Sequence, residues 1–155
     1  MTKIFDILQW LRRWYWRTFK IQTVGVRVII KKDNSFLLVK HRYGNLWVFP
    51  GGGVKKCEDS ETACRRETLE EANIHIISFE KHLGTYKNTT GGKNDTVTVL
   101  VAKEWKENGP DKWSLEIKEK GFFSLNELPA EISSATRRRI QEYLSGEDHY
   151  FTGNW

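Results

Sequence analysis

The segment GGGVKKCEDSETACRRETLEEANI, residues 51–74, joins a run of three glycines to a long polar stretch. Residues 58–72 are rich in long charged side chains and hold no Gly or Pro, which predicts a helix. On such a helix Glu70 and Glu71 point about −60° and +40° away from Glu67, so the three carboxylates share one face of roughly 100°. Grouped carboxylates repel one another, and either their pKa values rise or a cation compensates them. Hard divalent ions prefer oxygen donors, and magnesium typically combines a few carboxylates with water and substrate phosphates. Three glutamates alone would ordinarily be a solvated acidic face. The glycine-rich lead-in, Arg65 and Arg66 within the helix, and Glu58 near its start shift the reading toward a cation site.

Outward from this segment, the chain alternates strands with few helices. Val24, Val26, Val28 and Ile30 alternate with Gly25, Arg27, Ile29 and Lys31, predicting a strand over about 22–32. Asp33-Asn34-Ser35 is a turn, and Phe36–Lys40 returns as a second strand, giving a hairpin. Strands are expected near 74–87 and 95–105, with Asn88–Asp95 turning between them, and a short one near 120–124. A last helix is expected over about 133–145, with Ser133 as N-cap and Gly146 as its stop. This order indicates an α/β (α+β) chain with a mixed sheet rather than a doubly wound parallel one.

A chain of 155 residues fits one domain and can bury a core without disulfide or metal staples. The net charge of +5 is uneven: residues 1–20 carry +4 and the remainder +1. A nearly neutral body argues against a nucleic-acid-binding domain as such. Cys57 and Cys64, seven apart, would lie about 10 Å apart on one helix, beyond disulfide reach. A reduced, cytoplasmic protein is therefore expected. No CxxC or Cys/His cluster, no run of apolar residues long enough to span a membrane, and no Ser/His/Asp or Cys/His grouping is visible.

Residues 4–19 read as an amphipathic helix, with Ile4, Ile7, Leu8, Leu11, Trp14, Tyr15, Thr18 and Phe19 on one stripe beside Arg12, Arg13 and Arg17. Three partners suit it: the domain or a second copy of the chain in a homodimer, an anionic membrane surface, or RNA. The expected organisation is a basic helix over 1–20, a catalytic domain over 21–146 and a tail over 147–155.

The arrangement around residues 51–74 resembles the Nudix hydrolases, whose pattern is G-x5-E-x7-R-E-U-x-E-E-x-G-U with U apolar. Gly52, Glu58, Arg66, Glu67, Glu70, Glu71 and Ile74 match it. Six fixed matches arise by chance on the order of 10⁻⁵ per chain of this length, so coincidence is a poor explanation. Asn73 replaces the pattern's glycine, and Asn is the next best residue for a left-handed helix end. Thr68 replaces an apolar residue, and its hydroxyl can bond back to the carbonyl four residues earlier. Leu46–Gly53 and Gly121–Pro129 resemble further family segments, so the similarity covers about residues 22–145.

The resemblance implies an α/β/α sandwich around a mixed sheet. It also implies Mg2+-dependent hydrolysis, with Mn2+ as a substitute, of a nucleoside diphosphate linked to another group. Glu67, Glu70 and Glu71, with the Gly51 carbonyl, match the metal ligands. Arg66 would orient Glu67 and Glu58, with Glu58 and Asn73 structural. The general base falls among Glu67, Glu116 and Glu119. Gly52 and Gly53 let backbone approach the substrate. Outside the signature, Arg27, His41 and Arg42 are candidates for phosphate contacts, and Tyr43, Trp47 and Phe49 for base stacking. No proline lies between Pro50 and Pro110, which counts against an ADP-ribose hydrolase by the family's usual pattern. The rival functions are a catalytically silent nucleotide-binding or regulatory module and an RNA-end pyrophosphohydrolase.

Overall fold

A computed structural model describes residues 24–88, 95–109, 114–147 and 150–155. The expected amphipathic helix over 1–20 lies outside the described residues. The chain runs through β1 (Val24–Ile29), β2 (Lys31–Lys32), β3 (Ser35–His41), β4 (Trp47–Val48), α1 (Ser60–Ala72), β5 (Ile74–Asn88), β6 (Asp95–Glu107) and β7 (Ile117–Ser124). A 3-10 turn (Leu125–Glu127), α2 (Ser134–Leu144) and β8 (Phe151–Asn154) follow. Among the described residues no helix is long and apolar enough to cross a membrane.

Two sheets form. One has the order β1-β6-β5-β8, with β1 parallel to β6, β5 antiparallel to β6 and β8 parallel to β5. The other pairs β3 with β2, β4 and β7, all antiparallel. The strand expected over 22–32 is therefore two strands in two sheets, separated at Ile30. Its alternation survives the break because Ile30 is itself fully buried. The tail is also more than a tail. Residues 151–154 add β8 to the first sheet in register with Gly84–Lys87. With one apolar residue in four, β8 has no period for a sequence reading to detect.

Side chains alternate across the strands and fill two cores. Val26, Val28, Leu100 and Ala102 join Leu37, Ile74 and Ile76 against Ala63, Cys64 and Ala72 of α1. Ile29, Val99 and Val101 face the other way and pack with Phe36, Leu38, Phe49, Tyr86 and Ile140 of α2. The result is a mixed-sheet centre with a helix on either side. Cys64 is fully buried on the inner face of α1 and Cys57 is exposed, and both are free thiols.

The inner face of α1 is Ala63, Cys64, Thr68, Glu71 and Ala72. Burial contributes about 0.8 kcal/mol per CH₂, so small residues hold this helix only weakly. Polar anchoring supplies the rest. Asp59 caps the start, accepting from the Thr62 N–H at 2.7 Å. The Thr68 hydroxyl donates to the Cys64 carbonyl at 2.9 Å. Asn73 ends the helix at φ 56, ψ 38, with its N–H donating to Leu69. The Lys120 ammonium donates to the Ala72 carbonyl at 2.7 Å, placing positive charge at the helix C-terminus.

A left-handed backbone costs a residue with a Cβ about 1–2 kcal/mol. Asn73→Ala should therefore lower stability by about 1 kcal/mol or more in urea denaturation, while Asn73→Gly should cost less. Equal losses in the two variants would show that the αL turn is not the constraint at this position.

Candidate metal and catalytic site

The glycine loop is fastened along the free edge of β1. The Val26 N–H donates to Gly52, the Val28 N–H to Pro50, and the Val54 N–H to the Val24 carbonyl, at 2.8–3.0 Å. Gly51 has φ 140, and a Cβ there would lie 2.2 Å from the Val26 carbonyl oxygen, so only glycine fits. Arg27, on β1, donates through Nη1 to the carbonyls of Phe49 (3.0 Å) and Gly51 (2.6 Å). The loop is thus held from its backbone and from one guanidinium.

Arg66 organises the outer half of the acidic face. It makes a two-pronged pair with Glu58, with Nε to Oε1 at 2.9 Å and Nη2 to Oε2 at 2.8 Å. Nη1 donates to Glu67 at 2.6 Å, and Nη2 also reaches the Gly53 carbonyl at 2.9 Å. Glu70 is farther out, 3.6 Å from Nη1, with its side chain 57% exposed. The Lys55 N–H donates to Glu58 as well. Hydrogen bonds from Arg66 and Lys55 hold the Glu58 carboxyl down at about 2. Its hydrogen bonds to Glu58 first and Glu67 second push the Arg66 guanidinium above its usual range. Gly52 lies under the Glu67 carboxylate, where a Cβ would come within 2.5 Å of Oε1.

Glu71 occupies the inner half. Its Oε2 accepts the Gly51 N–H at 2.9 Å, and its Oε1 lies 3.5 Å from Nε2 of His41. Burial pushes its carboxyl up to about 7, against the opposing pull of the Gly51 N–H and Arg27. Glu67 and Glu116 push it further up. His41 is driven down to about 4, by burial first and by Arg27 second. It is therefore neutral at physiological pH. Among the described residues, the donor atoms of His41, Glu71 and Glu116 lie within 4.8 Å of one another.

The three signature glutamates thus share a helix face but not one surrounding. Glu67 and Glu70 turn toward Arg66, and Glu71 turns inward. Glu116 arrives from the segment before β7, where the pairing with β3 skips a residue between Lys40/Glu119 and His41/Ile117. Such a bulge re-aims the chain, and the Arg42 N–H accordingly donates to the Glu116 carbonyl at 2.9 Å. Glu119 lies opposite Lys40 and pairs with Lys118 at 3.4 Å. Trp47 is buried edge-on against Phe123 at 4.8 Å, and Phe49 is fully buried, so both rings serve the core. Tyr43 is half exposed and stacks on His41 at 4.9 Å. The sequence offers His41 as a phosphate contact. A stronger signal was available, because it sits two pleats beyond Leu37 and Leu37 faces α1.

These residues fit a divalent cation. Glu71 is a buried carboxylate with one N–H donor. The ring of His41 has a buried Nδ1 without a hydrogen-bond partner. The remaining donors are hard carboxylate oxygens.

A family model of the NUDIX domain matches residues 21–143. Mouse diphosphoinositol polyphosphate phosphohydrolase 3-alpha is 31% identical over 93 residues, covering 59% of this chain and 56% of that protein. Rat diphosphoinositol polyphosphate phosphohydrolase 2 is 30% identical over 92 residues, covering 59% and 51%. The chain spans about half the length of the curated relatives it matches. The solved NUDIX hydrolase from Nitrosomonas europaea superposes with a TM-score of 0.73 at 25% identity, covering 84% of this chain and 93% of that one. The MutT NUDIX hydrolase from Burkholderia pseudomallei gives 0.65 at 26% identity, covering 79% and 98%.

The depressed Glu58 carboxyl fixes a pH response. Its folded pKa of about 2 lies below the usual 4.5, so its stabilisation is present above 4.5 and is lost as pH falls toward 2. In urea midpoints measured across this window, wild type should lose more stability than Glu58→Gln. Parallel curves would show that the Arg66–Glu58 pair does not hold the helix.

Proposed function

Because the chain belongs to the NUDIX family, we propose that it is a divalent-metal-dependent pyrophosphohydrolase acting on a nucleoside diphosphate linked to a second group. The observation that carries this reading is the buried Glu71 carboxylate tied to the Gly51 N–H, beside Glu67 and Glu70 gathered by Arg66. Glu67, Glu70 and Glu71 would hold the cation, with the Gly51 carbonyl as a further donor once Arg27 yields it. When bound, the cation supplies positive charge to the diphosphate and favours attack by water on phosphorus.

The chain's own groups do the remainder. Arg66 keeps Glu67 aimed, a positioning role exercised through hydrogen bonds rather than by touching substrate. Glu67 is the acid best held to take a proton from the attacking water, because its carboxylate is shielded and fixed over Gly52. The Gly52–Gly53 backbone gives a substrate phosphate close access. Arg42 would meet a substrate phosphate, and the half-exposed Tyr43 ring, stacked on His41, would meet a base.

A second substrate class follows from the curated relatives, whose names give diphosphoinositol polyphosphates. The phosphoanhydride chemistry is the same. A silent binding module without a cation is disfavoured by the buried Glu71 carboxylate, which no cationic side chain pairs among the described residues apart from His41. Recruitment to RNA ends or to a membrane would depend on residues 1–20.

Release of nucleoside monophosphate, or of inorganic phosphate from a diphosphoinositol polyphosphate, should require Mg2+ or Mn2+. It should fall by about 10²-fold or more in Glu70→Gln. Equal turnover by both proteins, or turnover in chelator, would sink the reading. Metal affinity should also track the elevated Glu71 carboxyl, since a ligating carboxylate must be ionised. Below about pH 7 each cation displaces a proton, and calorimetric affinity should weaken by up to about tenfold per pH unit. A flat profile between about pH 6 and 8 would remove Glu71 from the ligand set.

A further inference from the structure

We propose that Arg27 is a built-in competitor for the dication: its guanidinium holds the Gly51 carbonyl in the metal-free protein, and the ion loads only as that bond is given up. This rests on the metal-dependent hydrolase reading and deepens it, by naming a residue outside the signature segment that sets how tightly the ion is held.

Gly51 is held from both of its backbone groups. Its N–H donates to Oε2 of Glu71 at 2.9 Å, and its carbonyl accepts from Nη1 of Arg27 at 2.6 Å. The second bond is short, as charge-assisted bonds are. The same Nη1 reaches the Phe49 carbonyl at 3.0 Å, so one nitrogen ties both ends of the Phe49–Gly51 stretch. A Cβ on Gly51 would stand 2.9 Å from the Arg27 Cα, so the loop lies directly on the residue that holds it. A carbonyl oxygen has two lone pairs, yet a guanidinium and a dication meeting on one oxygen repel at close range.

Charge supplies the independent observation. Burial raises the Glu71 carboxyl to about 7, and Arg27, after the Gly51 N–H, draws it back. Burial lowers His41 to about 4, and Arg27 lowers it further. The guanidinium is thus felt at both buried groups. Among the described residues it nevertheless makes no ion pair, and its two hydrogen bonds go to neutral carbonyls. Arg66, by contrast, pairs with Glu58, Glu67 and Glu70. The charge of Arg66 is answered by carboxylates, whereas that of Arg27 is left to oppose any ion that Glu71 attracts. Arg27 is half-buried, so water and salt screen it only in part.

The two effects have the same sign. A dication has to displace Nη1 from the carbonyl and has to approach against an unpaired positive charge. In exchange, Arg27 sets the loop before the ion arrives, which lowers the cost of ordering it later. A residue that only propped the loop would behave in the opposite way, because its loss would loosen Gly51 and weaken metal binding. Loss of a competitor tightens it.

The test is calorimetric titration of the full chain with Mg2+ and with Mn2+, without substrate. Arg27→Met should bind both ions tighter by about fivefold or more, the order expected when a unit charge beside a dication is removed. Arg27→Lys, which keeps the charge and can still donate to the carbonyl, should stay within about threefold of wild type. Unchanged or weaker binding in Arg27→Met, or an equal gain in Arg27→Lys, would overturn the proposal and leave the hydrolase reading intact. Wild type gives a second readout that survives a variant's failure to fold. The ¹⁵N signal of the Arg27 guanidinium should move, and its N–H groups should exchange faster with solvent, when Mg2+ saturates the chain. A guanidinium signal indifferent to bound Mg2+ would likewise overturn the proposal. No binding of either ion to wild type would remove the hydrolase reading as well.

Discussion

Negative charge taken out of water has to be answered, and the fold around α1 is organised by that demand. Glu71 is almost wholly buried, yet among the described residues its one N–H donor is Gly51. That donor exists because the glycine loop runs along β1, and the loop runs there because Gly51 alone tolerates contact with the Val26 carbonyl. The unusual carboxyl of Glu71 is the unresolved remainder of this arrangement. It is the physical reason to look for a cation.

The acidic face is graded rather than uniform. Side-chain exposure rises from 5% at Glu71 to 13% at Glu67 and 57% at Glu70. Arg66 neutralises the middle of this gradient and links it to Glu58 and to the loop carbonyl of Gly53. A helix with so little apolar surface on its inner side would be poorly placed by burial alone. Its ion pairs and caps therefore do double duty, fixing the helix and aiming the carboxylates.

Much of this was legible in the sequence. The 3.6-residue period put Glu67, Glu70 and Glu71 on one face, and the αL propensity of Asn accounts for Asn73 where glycine would be usual. The back-bond from Thr68 to Cys64 follows from the same local rules. What local rules could not supply was tertiary placement. The strand expected over 22–32 divides between two sheets at Ile30, where Ile29 and Ile30 are both fully buried, which alternation cannot express. Glu116 rather than Glu119 approaches Glu71 because a bulge shifts β7 against β3, and register shifts leave no compositional trace. Trp47 and Phe49 are candidates for base stacking in the sequence, but the core beneath α2 takes both rings.

The first sheet ends on β8 at one margin, and at the other the backbone of residues 50–54 covers β1. An uncovered strand margin invites pairing between molecules and is a route to aggregation. On the β1 side, the hydrogen bonds that suppress such pairing are the ones that set Gly51 and Gly52 against the glutamates. Solubility and the shape of the reaction centre are therefore written into one set of bonds, and selection on either property constrains the other.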